Sequence, residues 1–351
     1  MIIKQCCHIA LIMCLIAGPL SGCVVQRQVQ KGYYSVKHKV QGAYYLDGER
    51  YEEGVRAFEA ALTEAPESAE AHYYLGRCQM ETDQEALALK HLKTATDLDP
   101  LEADYHYWLG VAYHENGDTG SEGACYERVI ELDPNHVQAL TYLGHVRFEN
   151  GKLHEAMSTY QRVLRLQPDS PSVLYNRALI LGQLGRTPEE NLAWKAYLAH
   201  YPAGPLSVKA TAHLNALGDF EYRNHIIGKR TVSLQKIWFE VSSERIWEGS
   251  KHALNRLGEI LQASRDLSLH IVVYQKRNKP LAKARANSIK QYLLHRFPGL
   301  DPNHLLVSWF GVPERIRIRS SEFLEEASVQ FFTATGGTRV KRKKDPNERS
   351  S

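Results

Sequence analysis

Residues 103–118 read "ADYHYWLGVAYHENGD": aromatic and aliphatic residues at helical spacing, a small residue at Gly110, and a Gly-Asp stop. Outward from this stretch, proline recurs at Pro66, Pro100, Pro134, Pro168 and Pro202, each 34 residues from the last. Counted from Ser35, the position of Gly110 is also held by Gly42, Gly76, Gly144 and Ala178, preceded by Gln41, Leu75, Leu109, Leu143 and Arg177. Position 24 reads Phe58, Leu92, Tyr126, Tyr160 and Trp194, and position 27 reads Ala61, Ala95, Val129, Val163 and Tyr197. A small residue at position 8 lets two antiparallel helices approach closely. The spacing therefore predicts five helix pairs, 35–68, 69–102, 103–136, 137–170 and 171–204, followed by a capping helix within 205–222.

This pattern resembles the tetratricopeptide family, whose repeat is 34 residues long. Departures fall in Gln41 of the first repeat and in Arg177 and Ala178 of the last, where terminal repeats are atypical. The resemblance implies an α-solenoid whose first helices line a concave, partner-binding surface. Family positions 5 and 13 contribute to that surface. Here they read Lys39, Tyr73, Tyr107, Thr141 and Tyr175, and Asp47, Glu81, Glu115, Glu149 and Gln183. Exposed tyrosines at Tyr73, Tyr107 and Tyr175 beside an acidic rail of Asp47, Glu81, Glu115 and Glu149 would fit a basic or polar extended segment. The same ladder of acids also reads as solvated helix ends. The Lys/Arg/Asn pattern with which chaperone-binding relatives hold an acidic tail is missing. His38, His72 and His106 share position 4, but helix layers about 8 to 10 Å apart cannot place three of them on one zinc ion. They are expected to pack between helices, and no metal site is expected.

After a linker at 223–234 the period changes. "KIWFEV" reads as a strand, 244–263 as a helix with Ala253, Leu254, Leu257, Ile260 and Leu261 inward, and "LSLHIVVY" as a second strand. A helix over 280–296 turns Ala286, Ile289, Tyr292 and Leu293 inward, and "LLVSWFGV" and "ASVQFFTA" close a small α/β domain of order βαβαββ. Residues 235–334 resemble, divergently, the OmpA-like domains that grip peptidoglycan, above all in "IWFEVSSERIWEGSKHALNRLGEIL" and "LAKARANSIKQYL". The resemblance implies Arg285 as a peptidoglycan contact; the bare alternative is a helix-surface arginine. The family's acidic turn is replaced by Gln275, Lys276 and Arg277, so the fold is expected without the complete ligand grip.

At the other end, Lys4 and the apolar run Ile9 to Ile16 precede Leu20-Ser21-Gly22-Cys23. This order reads as a signal peptide, residues 1–22, and resembles the bacterial lipoprotein box. The resemblance implies acyl chains on Cys23, a tether at 23–34 and, with Val24 following the Cys, an outer-membrane address facing the periplasm. Of six cysteines only Cys78 and Cys125 then remain in the folded part, both on predicted helices and two layers apart, which points to free buried thiols.

Net charge is distributed as +5 over residues 1–42, −13 over 43–204 and +11 over 205–351. The acidic middle excludes nucleic acid as a partner of the repeats. Residues 335–351, rich in Lys and Arg, are expected to form a basic disordered tail. No G-x-S-x-G, H-E-x-x-H, phosphate loop or dinucleotide fingerprint appears, so neither catalysis nor a cofactor is expected. Three functions fit the sequence: a pilotin-like assembly scaffold holding an envelope protein, a tether between outer membrane and peptidoglycan, or an accessory regulator of a cell-wall enzyme.

Overall fold

The computed structural model describes residues 28–264 and 266–335. The expected signal peptide, Cys23, the first part of the tether and all but the first residue of the basic tail lie outside them. The chain divides into two compact units, Met1–Pro168 and Asp169–Ser351.

Among the described residues the first unit holds helices and no strand. Residues 28–47 form α1. There follow α2 (Tyr51–Glu64), α3 (Ala69–Met80), α4 (Glu85–Leu98), α5 (Ala103–Glu115), α6 (Thr119–Leu132), α7 (Val137–Glu149) and α8 (Leu153–Leu166). The 34-residue period is thus one helix pair per repeat. Position 8 is small because it must be: a Cβ on Gly76 would stand 2.7 Å from Leu92 Cγ, and one on Gly144 would stand 2.3 Å from Tyr160 Cε1. Position 15, between the two helices of each pair, is left-handed throughout. Gly117 (φ 73°) and Gly151 (φ 71°) take it freely, whereas Glu49 (φ 52°) and Asp83 (φ 55°) take it against a side-chain cost.

The second unit begins with the last repeat, α9 (Pro171–Gln183) and α10 (Thr187–His200), and the expected capping helix, α11 (Pro205–Ala216). The stretch read as a linker is instead a β-hairpin, β1 (Tyr222–Ile227) paired antiparallel with β2 (Arg230–Gln235) and turning at Gly228 (φ 62°). Its strands alternate polar with apolar residues too irregularly to register as strands. Buried Thr211 of α11 and buried Ser233 of β2 hydrogen bond through their hydroxyls.

A second correction concerns "KIWFEV", which forms no strand. Its only ladder contact is the single bridge Phe239↔Ile246, and the Trp238 amide donates to Ser250 Oγ (2.8 Å). The helix expected from residue 244 starts at Lys251, after a 3₁₀ turn at Glu248–Ser250, giving α12 (Lys251–Ala263). Beyond it come β3 (Leu267–Gln275), α13 (Lys279–Arg296), β4 (Leu305–Phe310), β5 (Glu314–Ile318), β6 (Ser321–Glu325) and β7 (Ala327–Thr335). The sheet order is β4-β3-β7, with β3 parallel to β4 and antiparallel to β7. Leu254, Leu257 and Leu261 of α12 and Ala286, Ile289 and Leu293 of α13 are buried with Leu269, Ile271 and Val273 of β3. The β5–β6 hairpin was not foreseen, because "ERIRI" and "SEFLE" carry too many charges to look like strands. It is fastened by Glu314, 8% exposed, which receives two hydrogen bonds from Arg223 (2.7 and 3.0 Å) and one each from Ser328 (2.6 Å) and Gln330 (2.8 Å).

Candidate functional site

The four acids of the expected rail are all exposed. Asp47 ends α1, Glu81 caps α3, and Glu115 and Glu149 are the last residues of α5 and α7. The helix dipole makes this the wrong end for a carboxylate, by about 0.3 to 1 kcal/mol each. Their recurrence is therefore no device for helix stability. Partial desolvation, with Glu81 and Glu85 nearby, raises the Glu115 carboxyl above its ordinary range. Behind the rail, Glu122 is buried, and His114 Nδ1 lies 3.2 Å from its carboxylate. Burial raises Glu122 and His114 opposes that rise.

The tyrosines do not form the exposed row expected of them. Tyr73 is 5% and Tyr175 9% exposed; Tyr107 is half-buried. Tyr73 packs on Tyr105, ring centroids 4.8 Å apart, and its hydroxyl accepts from Arg77 at 3.3 Å. Burial drives its hydroxyl pKa well above the tyrosine range. Tyr107 lies against His136 at 5.0 Å, and burial pushes its hydroxyl up to about 12. In the second unit, Tyr175 packs edge-on to Trp194 at 5.1 Å. The reason is geometric: position 5 lies where a large ring can reach the neighbouring helix, and burying that ring is worth more than displaying it.

The side chain that does present itself among these rings is Arg77, which the sequence reading passed over. Its guanidinium lies 3.8 Å from the Trp108 ring centroid. Aromatics at Tyr73, Tyr105 and Trp108 in adjacent repeats around one arginine were the available signal.

The position-4 histidines are structural. His38 is fully buried against Ser68 Oγ (2.8 Å), whereas His72 and His106 each place Nε2 on the carbonyl of the proline six residues before, Pro66 (3.1 Å) and Pro100 (3.0 Å). Cys78 and Cys125 are free; only Cys78 is fully buried, and desolvation pushes their thiols up to about 11 and about 12.

Arg285 is neither exposed nor available as a helix-surface arginine. It is 8% exposed, donates to Ser243 O (2.9 Å) and Gln275 Oε1 (2.5 Å), and covers the Phe239 ring at 4.6 Å. A cleft of about 400 Å³ beside it is lined by Trp238, Ser242, Tyr274 and Lys276 among others.

Sequence-family models described as tetratricopeptide repeat match residues 45–110, 86–137 and 125–157, and one described as TPR repeat matches 144–185. No curated protein matches the sequence. Among solved structures the chain is similar to MamA (22% identity, 45% of this chain and 93% of that one, TM-score 0.43). It is also similar to YrrB, described as a TPR protein with an unusual peptide-binding site (16% identity, 53% and 96%, TM-score 0.46). A third is pilF of Pseudomonas aeruginosa (19% identity, 54% and 86%, TM-score 0.48). At these identities the likeness concerns the fold alone. Residues 45–185 of this chain are thus tetratricopeptide repeats, units that generally serve as protein–protein interaction scaffolds.

Proposed function

We propose that the protein is a lipid-anchored scaffold of the outer membrane that holds a basic, extended segment of an envelope protein on its repeats, as a pilotin-like assembly factor. The observation that carries this reading is the row Asp47, Glu81, Glu115 and Glu149, exposed at the one helix end where carboxylates are unfavourable. A cationic segment would relieve that cost in all four repeats at once. Arg77 and the half-buried Tyr107 offer hydrogen bonding and ring contact beside it. The anchor rests on Leu20-Ser21-Gly22-Cys23 directly after an apolar run. Among the described residues no helix is long and apolar enough to cross a membrane.

A tether to peptidoglycan through an OmpA-like domain is the second reading, supported by the sequence resemblance and by the cleft beside Arg285. It ranks lower because the guanidinium is already committed to Ser243 and Gln275. The regulator of a cell-wall enzyme differs from the scaffold only in its partner. Crosslinked pull-down from the native envelope separates them: recovery of a secretin-type assembly component supports the scaffold, whereas wall fragments or a wall enzyme would replace it. Cys23→Ser should move the protein out of the outer-membrane fraction; unchanged fractionation would remove the anchor from the account.

A further inference from the structure

The loop 238–247 folds back on itself through the Phe239↔Ile246 bridge, and the Trp247 amide donates to the Trp238 carbonyl at 3.0 Å. Successive side chains of a paired, extended segment point to opposite faces. Phe239 and Ile246 join the core beneath the loop. Trp238 and Trp247 therefore stand opposite each other on its outer face, 46% and 52% exposed. Trp108, Trp194 and Trp309, by contrast, are buried or half-buried. A pair of neighbouring indoles at the surface marks a contact site.

Both rings are held in place. A Cβ on Gly249 would stand 2.0 Å from Trp247 Cζ3, so the indole lies across the glycine backbone. Gly249 is not left-handed; room for the ring is what it supplies. The Lys236 ammonium lies 4.6 Å from the Trp238 ring centroid and is itself tied to Glu325. Rings fixed in advance lose little freedom when a ligand arrives.

The surroundings select an uncharged, polar ligand. Trp238 lines the cleft beside Arg285, and Trp247 lines a second cleft of about 520 Å³. In that second cleft Ser288, Gln291 and His295, spaced three and four along α13, form one polar stripe. The lysines and arginines Lys236, Arg245, Lys251 and Lys276 lining the two clefts already pair with Glu325, Glu240, Glu248 and Glu326.

We propose that Trp238 and Trp247 form a platform for an uncharged, β-linked saccharide chain. A pyranose with equatorial hydroxyls turns its axial C–H bonds to its two faces, and these meet the electron-rich face of an indole. Its hydroxyls then fall to Ser288, Gln291 and His295. A protein partner fits less well, because the core of such an interface is depleted of charged residues whereas charged pairs flank both rings. Val241 at the loop tip, 96% exposed, would suit a lipid surface, but Glu240 and Glu244 stand beside it and repel anionic headgroups. The platform uses neither the carboxylate row of the repeats nor the Arg285 guanidinium, so it stands apart from both readings above.

The test titrates the full chain with chitotetraose and with cellotetraose by calorimetry. At least one should bind saturably, and equally at low salt and at about 1 M salt, since the ligand is neutral. Either preference supports the platform and names the source, an N-acetylated chain or a plain glucan. Trp247→Ala should weaken binding about tenfold or more, and Trp238→Ala and Gln291→Ala several-fold, with unchanged circular dichroism. Gly249→Ala, which keeps both indoles but displaces one, should also weaken it, whereas Val241→Asp should not. No saturable binding of either sugar, or binding indifferent to both tryptophan variants, overturns the proposal. So does sedimentation with phosphatidylglycerol vesicles that Val241→Asp and Trp247→Ala abolish, which would assign the face to lipid.

Discussion

Arg77 lies over Trp108, 3.8 Å from the ring centroid, and its guanidinium reaches the Tyr73 hydroxyl at 3.3 Å. The two residues belong to successive repeats, so this contact ties α3 to α5 across the face on which a partner is expected. The tyrosine becomes part of the wall and the arginine part of the surface.

Tyr73→Ala should therefore act first on stability. Truncating a buried aromatic costs about 3 to 5 kcal/mol, and Tyr73 at 5% exposure falls in that class, as does Tyr175 at 9%. Chemical denaturation should show a large loss for each. A change below about 1 kcal/mol would mean the rings stand free, as first expected from their spacing.

Arg77→Ala should cost less, about 0.5 to 2 kcal/mol, because it removes one cation–π contact and one hydrogen bond while leaving the rings packed. Arg77→Lys should recover only part of the loss, since an ammonium cannot stack as a guanidinium does. Equal stability of the lysine variant and the native protein would contradict the stacking account.

Position 15 predicts a gain. Asp83 adopts φ 55° where Gly117 and Gly151 stand in the next two repeats. Asp83→Gly should raise stability by up to about 1 kcal/mol, the relief of left-handed strain outweighing the extra entropy of the unfolded chain. A clear loss would show that the aspartate side chain holds the turn.

His225 makes the second unit sensitive to acid. It is 5% exposed, its Nδ1 accepts the Phe331 amide at 3.4 Å, and burial followed by Arg223 lowers its pKa from 6.5 to about 4, with Glu314 pulling the other way. Between those values the unfolded chain binds a proton that the folded chain does not, so stability should fall as pH falls from about 6.5 toward 4. At full extent the loss is about 3 kcal/mol. His225→Gln should flatten the denaturation midpoint against pH over this window; an unaltered slope would assign it to other groups.

The helical half was legible because its signals repeat. Pro66 to Pro202 set the period, and Gly76, Gly110 and Gly144 marked where helices touch. The direction of side chains was less legible. Tyr73 and Glu81 both belong to the first helix of their repeat, yet one is buried and the other exposed, because burial depends on the reach of Tyr105 from the next repeat, outside the local pattern. In the second unit the two hairpins escaped notice for a related reason. Arg223 and Glu314 look like surface charges in a strand pattern, and only their pairing in space lets those strands be buried. Ile237, Trp238 and Phe239 erred the other way, an apolar run in which the Trp238 amide bonds to a side chain and Phe239 makes a single bridge.

The most direct test of the account is capture of the envelope partner by the carboxylate row. Crosslinked pull-down should compare the native chain with a Glu81→Gln, Glu115→Gln, Glu149→Gln variant at equal loading. Exposed charge contacts are worth about 0.2 to 1 kcal/mol each, so losing three should lower recovery roughly tenfold, more steeply at low salt, while the melting temperature stays the same or rises. Undiminished recovery by the triple variant would contradict the claim that these acids hold the partner.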